Sequence, residues 1–338
     1  MASVTRLMQP TRLTCAVSVL ALLAFVAAMA GTLATAEAQD FPAKPITLII
    51  PFPAGGATDI AGRVLAERMA ISLKQPIIVD NRAGASGAIG IKAVAAAAPD
   101  GYTLGVSGVG TTALLEPLGR NLGFSPGNDL AYVGHMGSSA MLIAAKSDLG
   151  PKSLPELIAL AKSKPEQLTY GTSGIGSPGH LAMEWLLLDA GIKILHLPYR
   201  GNAPLLNDLV GKHVDLGVLT IPGTADQVKA DNILPIAVTG TARSDELPHV
   251  PTAREAGIKD FAAELWNVLV APKGTPQPIV DKISAALAEA MKDPGVHARF
   301  KANGLVPVTM APAETRAFVD TERAKWADVI RKSGVKAD

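Results

Sequence analysis

Pro51-Phe52-Pro53-Ala54-Gly55-Gly56-Ala57-Thr58-Asp59 decides how this chain is read. It joins an unbroken apolar run, residues 46–50, to a segment with Ile60, Val64, Leu65 and Ile71 at helical spacing. Strand, glycine-rich turn and helix in that order form the repeating unit of an α/β fold. The first N–H groups of such a helix have no carbonyl to bond, and the helix dipole adds partial positive charge there. The turn is therefore suited to an anion. A second turn of the same kind, Gly171-Thr172-Ser173-Gly174-Ile175-Gly176-Ser177-Pro178-Gly179-His180, follows about 120 residues later. Two such turns facing across a cleft would grip a small carboxylate from both sides. The alternative, that the glycines only make tight turns, stays open at this point.

Residues 1–38 read as an address. Arg6 and Arg12 form a basic start, residues 15–30 are almost wholly apolar, and Ala36-Glu37-Ala38 precedes Gln39 in the manner of a cleavage site. The apolar run is short for a membrane span of about 20 residues. Cleavage near Ala38 and a periplasmic location are expected. Removing Arg6, Arg12 and Glu37 reduces 31 basic and 30 acidic side chains to 29 of each. That balance argues against nucleic acid or an anionic membrane surface as a partner. The single cysteine, Cys15, leaves with the address, so the exported chain holds its fold without disulfides. A chain of this length can build a large core and two domains.

Short apolar runs alternate with helical patterns. Strands are expected over 46–50, 77–80, 102–107, 141–145, 168–171, 194–197, 216–219, 236–239 and 268–271. Helices are expected to begin near Thr58, Gly87, Ser153, Pro178, Ala203, Thr224, Pro278 and Pro312. Ser153 with Glu156 three residues on has the pattern of a capping box. Ile279, Ile283, Leu287 and Met291 put an apolar stripe on one helix, which makes it core. No linker separates two domains, so strands crossing between them are expected, with 141–145 and 266–271 the best candidates. Closure about such a hinge would follow.

The familiar catalytic patterns fail. Gly174-Ile175-Gly176-Ser177-Pro178-Gly179 is a literal G-x-G-x-x-G. The strand after it, Ile194-Leu195-His196-Leu197-Pro198, lacks the acidic residue that a dinucleotide ribose requires. Gly108-Val109-Gly110-Thr111-Thr112-Ala113 is a weaker echo. No serine sits in G-x-S-x-G, and the six histidines include no zinc-binding pair. His180 either lines the cleft or caps its helix; His135, His213, His249 and His297 read as plain surface or core residues. No enzyme activity, metal or cofactor is expected. The two main loops offer Thr58, Thr172, Ser173, Ser177 and peptide N–H groups, with no Lys or Arg. Asp59 inside an anion site would repel the ligand, so a capping or water-holding role suits it better.

A further series of motifs carries a resemblance. Phe41-Pro42-Ala43-Lys44-Pro45-Ile46, the 51–59 loop and Val79-Asp80-Asn81-Arg82-Ala83-Gly84-Ala85-Ser86-Gly87 are followed by Ala98-Pro99-Asp100-Gly101-Tyr102-Thr103-Leu104. His196-Leu197-Pro198-Tyr199-Arg200-Gly201, Val250-Pro251-Thr252, Glu255-Ala256-Gly257 and Leu269-Val270-Ala271-Pro272 complete it. In this order, from Phe41 to the C-terminus, the chain resembles the substrate-binding proteins of tripartite tricarboxylate transporters, the Bug family.

The resemblance implies a type II periplasmic binding protein: two α/β lobes joined by crossing strands, with a ligand cleft between. On that basis lobe 1 would comprise 39–142 and 266–338, and lobe 2 would comprise 143–265. Ligand contacts implied are Phe52, Gly55, Gly56, Ala57, Thr58 and Asp59 in the first loop, and Ser107 and Thr111 after the 102–107 strand. In the second half they are Ser173, Gly176, Ser177, His180 and Tyr199. The chain departs from the family where Leu219-Thr220 stands in place of Asp-Asn, which makes Thr220 the contact there. Losing that carboxylate disfavours amino-acid ligands and favours plain carboxylates. The implied role is monomeric capture of a small organic acid for membrane transporter subunits. The runner-up is presentation of the closed form to a sensor without transport; a nucleotide-dependent oxidoreductase is a distant third.

Overall fold

β1 (Ile46–Ile50) buries four of its five side chains, as a strand covered on both faces must. β2 (Ile77–Asn81) and β3 (Thr103–Gly108) flank it in parallel. Parallel neighbours need crossovers, supplied by α1 (Ala57–Leu73) and α2 (Ala88–Ala95). The computed structural model describes residues 41–336; the expected address, residues 1–38, lies outside them.

β4 (Leu130–Lys146) is the largest departure from expectation: 17 residues where the sequence suggests five. Its first part pairs antiparallel with β9 (Glu264–Pro272), and residues 141–146 pair with β7 (Leu216–Thr220) and β8 (Ile233–Val238). Gly134, Gly137, Ser138 and Ser139 hide the first part in sequence, and two register shifts there absorb extra residues as bulges. β5 (Thr169–Thr172) lies parallel to β6 (Leu195–Pro198) and β7. The sheet runs β2-β1-β3-β9-β4-β7-β5-β6, with β8 also on β4. β4 thus belongs to both halves, and the fold is two α/β assemblies joined through a shared strand. Both lie within one unit, Lys44–Asp338.

The remaining helices are α3 (Leu154–Ser163), α4 (Pro178–Ala190), α5 (Asn202–Val210), α6 (Ala225–Lys229), α7 (Gln277–Ala290), α8 (Pro294–Lys301) and α9 (Pro312–Ser333). Ser153 caps α3 by accepting from the Glu156 N–H, but Glu156 reaches past it to the Lys152 N–H at 2.9 Å. The stripe on α7 holds at Ile283, Leu287 and Met291, with Val280 rather than Ile279 as its first buried member. α8 was not anticipated. Asp293 accepts from the Gly295 and Val296 N–H groups and Pro294 opens the helix, a legible start signal. Among the described residues no helix is long and apolar enough to cross a membrane.

α9 braces the molecule through the chain's three tryptophans. Trp266 of β9 and Trp326 of α9 both donate their indole N–H to Glu322, at 2.9 and 3.1 Å. Trp185 of α4 meets Trp326 edge-on at 6.0 Å, and Phe261 at 4.8 Å. Glu322 is 8% exposed and is also bonded by Lys325. Removing an acceptor shared by two buried indoles leaves both donors unsatisfied, at about 1–3 kcal/mol each. Glu322→Ala is expected to lower unfolding free energy by about 3 kcal/mol in urea titration; a loss under about 1 kcal/mol would contradict the brace.

Candidate functional site

Strand pairing locates the site. β3 ends at Gly108, which pairs with Asn267 of β9, which in turn pairs with Gly137 of β4. β7 runs the opposite way and ends at Thr220, paired with Met141 of β4. The carboxyl ends of the two parallel strand sets therefore point at each other across residues 137–141. Four residues of extended chain span about 14 Å. The stretch between carries only Ser138, Ser139 and Ala140. Ligands of open α/β sheets bind at such carboxyl ends.

The first loop occupies one side of this gap. Gly56 caps α1 with φ −78° and ψ 164°, and no side chain bonds the helix start. The first amide of α1 with a protein acceptor is Ile60, bonded to Gly56 O. Among the described residues no acceptor meets the N–H of Gly56, Ala57 or Thr58. The Gly55 N–H is different: it donates to Asp59 Oδ2 at 2.9 Å. Asp59 is 2% exposed and also accepts from Arg63 Nε at 2.9 Å and from Asn81 Nδ2 at 2.8 Å. Burial alone would raise its carboxyl, but the Arg63, Gly55 and Asn81 bonds outweigh it and hold it below the usual 3.8. Asn81 also donates to Phe52 O at 3.0 Å, so one carboxylate and one amide fix both ends of the loop.

The Phe52 ring and Thr111 come together at Gly87 (φ +94°), where a Cβ would lie 3.3 Å from the ring and 2.7 Å from the Thr111 methyl. Thr58 Oγ1 donates to Asn267 Oδ1 at 3.4 Å, which ties the first loop to the gap. Ser107, Thr111 and Thr112 share hydroxyl bonds of 2.8 and 2.6 Å and are fully buried. They stiffen the turn after β3 from beneath it.

The second loop repeats the device with different chemistry. Ser177 caps α4 and accepts from the His180 N–H at 3.3 Å. His180, three residues into the helix as Asp59 is in α1, reaches back through Nδ1 to accept the Gly176 N–H at 3.0 Å. The Gly176 backbone (φ +67°) lies against Leu118, 2.8 Å from where a Cβ would sit, so the segment after β3 touches this loop directly. Ser173, Ile175 and Gly179 carry N–H groups with no protein acceptor among the described residues. Tyr199 follows β6 with its N–H on Thr172 O at 2.9 Å. Its hydroxyl donates to Asp208 Oδ2 at 2.9 Å, so the ring, laid beside Gly171, is what it presents. Thr220 Oγ1 accepts from Asn202 Nδ2 at 2.8 Å.

Beneath the second loop His180 and His196 stack at 3.8 Å, and Tyr170 stacks on His196 at 4.8 Å. Tyr170 donates its hydroxyl to Glu184 at 2.5 Å. Burial, with the neighbouring His196, pushes His180 down to about 3; burial pushes His196 to about 4 and raises Glu184. Both imidazoles are neutral at ordinary pH, and His180 carries its proton on Nε2 because Nδ1 accepts.

The sequence did not point to Asn81, Asn267, His196 or Asn202. Nor did it point to Arg63, although the spacing four residues after Asp59 on one helix face is a signal that could have found it. Asn81 and Asn267 reach the site only through strand pairing, which no local pattern reveals. Among the described residues no group of three or more His, Cys, Asp or Glu could hold a metal ion.

Glycine loops thus stand at opposed strand ends, with several N–H groups that meet no protein acceptor among the described residues. The comparisons give the family. The model described as tripartite tricarboxylate transporter family receptor matches residues 61–335, and the chain belongs to that family. It is 36% identical over 323 residues to Protein BugT of Bordetella pertussis, covering 94% of this chain and 98% of the relative. An R. palustris protein solved with adipate aligns at TM-score 0.74 and 32% identity, over 88% of this chain and all but 1% of the other, which is covered to 99%. MatC from Rhodopseudomonas palustris with bound malate aligns at TM-score 0.70 and 32% identity, over 86% of this chain and 100% of that one. The family and these neighbours are substrate-binding proteins, not enzymes.

The buried histidines set a pH dependence. His135, His180 and His196 fall from 6.5 in the open chain to about 4, 3 and 4 when folded. Between those limits the unfolded chain binds more protons than the native one, so stability drops as pH falls from 6.5 towards 4. Asp59 and Asp215, both held below 3.8, lose their contribution only at lower pH. Glu184, raised, works in the opposite sense. The melting temperature is expected to fall by several degrees between pH 7.5 and 5, and by less in His196→Gln. A flat wild-type profile would contradict the buried neutral pair.

Proposed function

We propose that the protein captures a small organic carboxylate between its two glycine loops and delivers it, in the periplasm, to the membrane subunits of a tripartite tricarboxylate-type transporter. The observation that carries this reading is the uncapped start of α1. Three consecutive N–H groups, on Gly56, Ala57 and Thr58, meet no protein acceptor among the described residues, and no side chain caps the helix. Adipate and malate, each present in a neighbour's structure, carry the group that such amides accept.

Hydrogen bonds to a charged partner contribute roughly 1.5–3 kcal/mol each. Four or five of them, less the cost of ordering, reach the approximately 8 kcal/mol of a micromolar complex. Phe52, Gly56, Ala57 and Thr58 would meet one end of the ligand, and Ser173, Ser177, Tyr199 and Thr220 the other. Gly55, Gly176, Asp59 and His180 would hold the loops in shape, with Ser107 and Thr111 beneath. In the same reading residues 1–38 are an export address removed near Ala38. Lobe 1 then spans 39–142 and 266–338, and lobe 2 spans 143–265, with closure over the ligand about β4.

Gly56→Asp tests it. Gly56 has an ordinary φ, and the nearest atom to an added Cβ is 3.8 Å away. An aspartate there would cap α1, because Asp is among the best N-cap residues. Its carboxylate would then occupy the amides assigned to the ligand. Calorimetry with adipate and malate is expected to show at least tenfold weaker binding in Gly56→Asp, near-wild-type affinity in Gly56→Ala, and a melting temperature equal or higher in the aspartate variant. Unchanged affinity in Gly56→Asp would overturn the assignment.

A further inference from the structure

A groove of about 630 Å³ lies on the far face of the β4–β9 pair from Asn267. Its floor is His135, Ser138 and Ala140 of β4 with Glu264 of β9; Leu305, Val308, Met310 and Phe318 give it apolar walls. None of its lining residues belongs to either glycine loop or to the turn after β3. The register shift between His135 and Gly137 makes this floor. Residues three apart on a regular strand face opposite ways, and the extra residue of a bulge brings His135 and Ser138 to one side.

Two buried polar groups open onto the groove with no protein partner among the described residues. His135 is 2% exposed and accepts the Gly137 N–H on Nδ1 at 3.0 Å, so its proton is on Nε2. No acceptor among the described residues meets that Nε2–H. Ser138 is 6% exposed; its backbone pairs both ways with Val306, at 3.0 and 2.7 Å, while its hydroxyl has no partner among the described residues. Among the described residues no side-chain nitrogen or oxygen sealed from solvent lacks a hydrogen bond. The two groups therefore look into the groove they line. Burial holds His135 neutral, down to about 4 against the pull of Glu264.

The rim's cationic side chains are already committed. Arg243 pairs with Glu255 at 2.9 Å, Lys301 with Asp245 at 2.9 Å, and His297 Nε2 bonds Met291 O at 2.6 Å. Glu264 Oε1 accepts from the Thr241 N–H and hydroxyl at 2.8 and 2.9 Å. An anion would meet the Glu264 and Glu246 carboxylates with no free cation. A cation would bring donors to a floor whose imidazole already donates. Apolar walls penalise either charge.

We propose that this groove is a second binding site, for an uncharged and mainly apolar small molecule whose carbonyl oxygen accepts from His135 Nε2–H and Ser138 Oγ–H. The volume is that of a site for a drug-sized ligand, and the recognition is a single acceptor set in an apolar body.

The test is an NMR titration of the ¹⁵N-labelled protein with acetophenone, with ethylbenzene as the same body lacking the acceptor and benzoate as the charged analogue. Acetophenone is expected to saturate, shifting the His135 side-chain and Ser138 backbone resonances, at least fivefold more tightly than ethylbenzene. Val306→Trp, which fills the groove from a side chain 58% exposed, is expected to abolish those shifts, and Ser138→Ala to weaken binding about fivefold. Three results would each overturn the proposal: no shift up to the solubility limit, which would leave water as the partner of both groups; equal affinity for ethylbenzene; or benzoate displacing the same resonances at lower concentration.

Discussion

A side chain three residues into a helix, reaching back to the glycine amide just ahead of that helix, is the interaction on which the site depends. Asp59 does this for Gly55 and His180 does it for Gly176. Each bond closes a glycine turn that would otherwise have many conformations, since glycine loses the most backbone freedom on folding. Once closed, the turn cannot fold over the helix start. The amides that follow are left facing outward, and an ordered loop needs little further ordering to hold a ligand.

The two closures differ in charge, and the difference shapes what the site can hold. Asp59 brings a carboxylate to a loop proposed to receive another anion. Arg63 at 2.9 Å, itself bonded to Asn81, offsets that charge. The second loop avoids the problem. Its closure is an imidazole kept neutral by burial and stacked on His196, with the Glu184 carboxyl, itself raised by burial, 3.8 Å from Nε2, so the closure brings no net charge that needs a cation. Arg63 beside the first loop is thus spent on structure, and in the proposed function recognition would rest on peptide dipoles. Such dipoles favour negative charge without demanding one ligand shape, in keeping with the different diacids seen in the neighbouring structures.

Much of this was legible in the sequence because it is local. Both glycine turns, at least part of each strand among the described residues and most helix starts follow from patterns within about 20 residues. The resemblance supplied the arrangement of halves. What was not legible depends on distant pairing or on irregularity. The first part of β4 breaks its pattern with Gly134, Gly137 and paired serines because it is bulged, and the bulges are what let one strand serve both halves. Asn267 joins the site only through its register with Gly108. His180 could be placed on its helix, but whether it faced ligand or backbone turned on a rotamer that no spacing reveals. Asp59 was readable as a cap because an anion in an anion site is electrostatically unreasonable.

The central claim is that carboxylate recognition here uses main-chain donors and no cationic side chain. A crystal structure of the protein with adipate tests it most directly. The account predicts a carboxylate oxygen 2.7–3.0 Å from the N–H groups of Ala57 and Thr58, with Arg63 still on Asp59 and no Lys or Arg touching the ligand. A carboxylate gripped by a guanidinium or ammonium group, with those two amides bonded elsewhere, would contradict it.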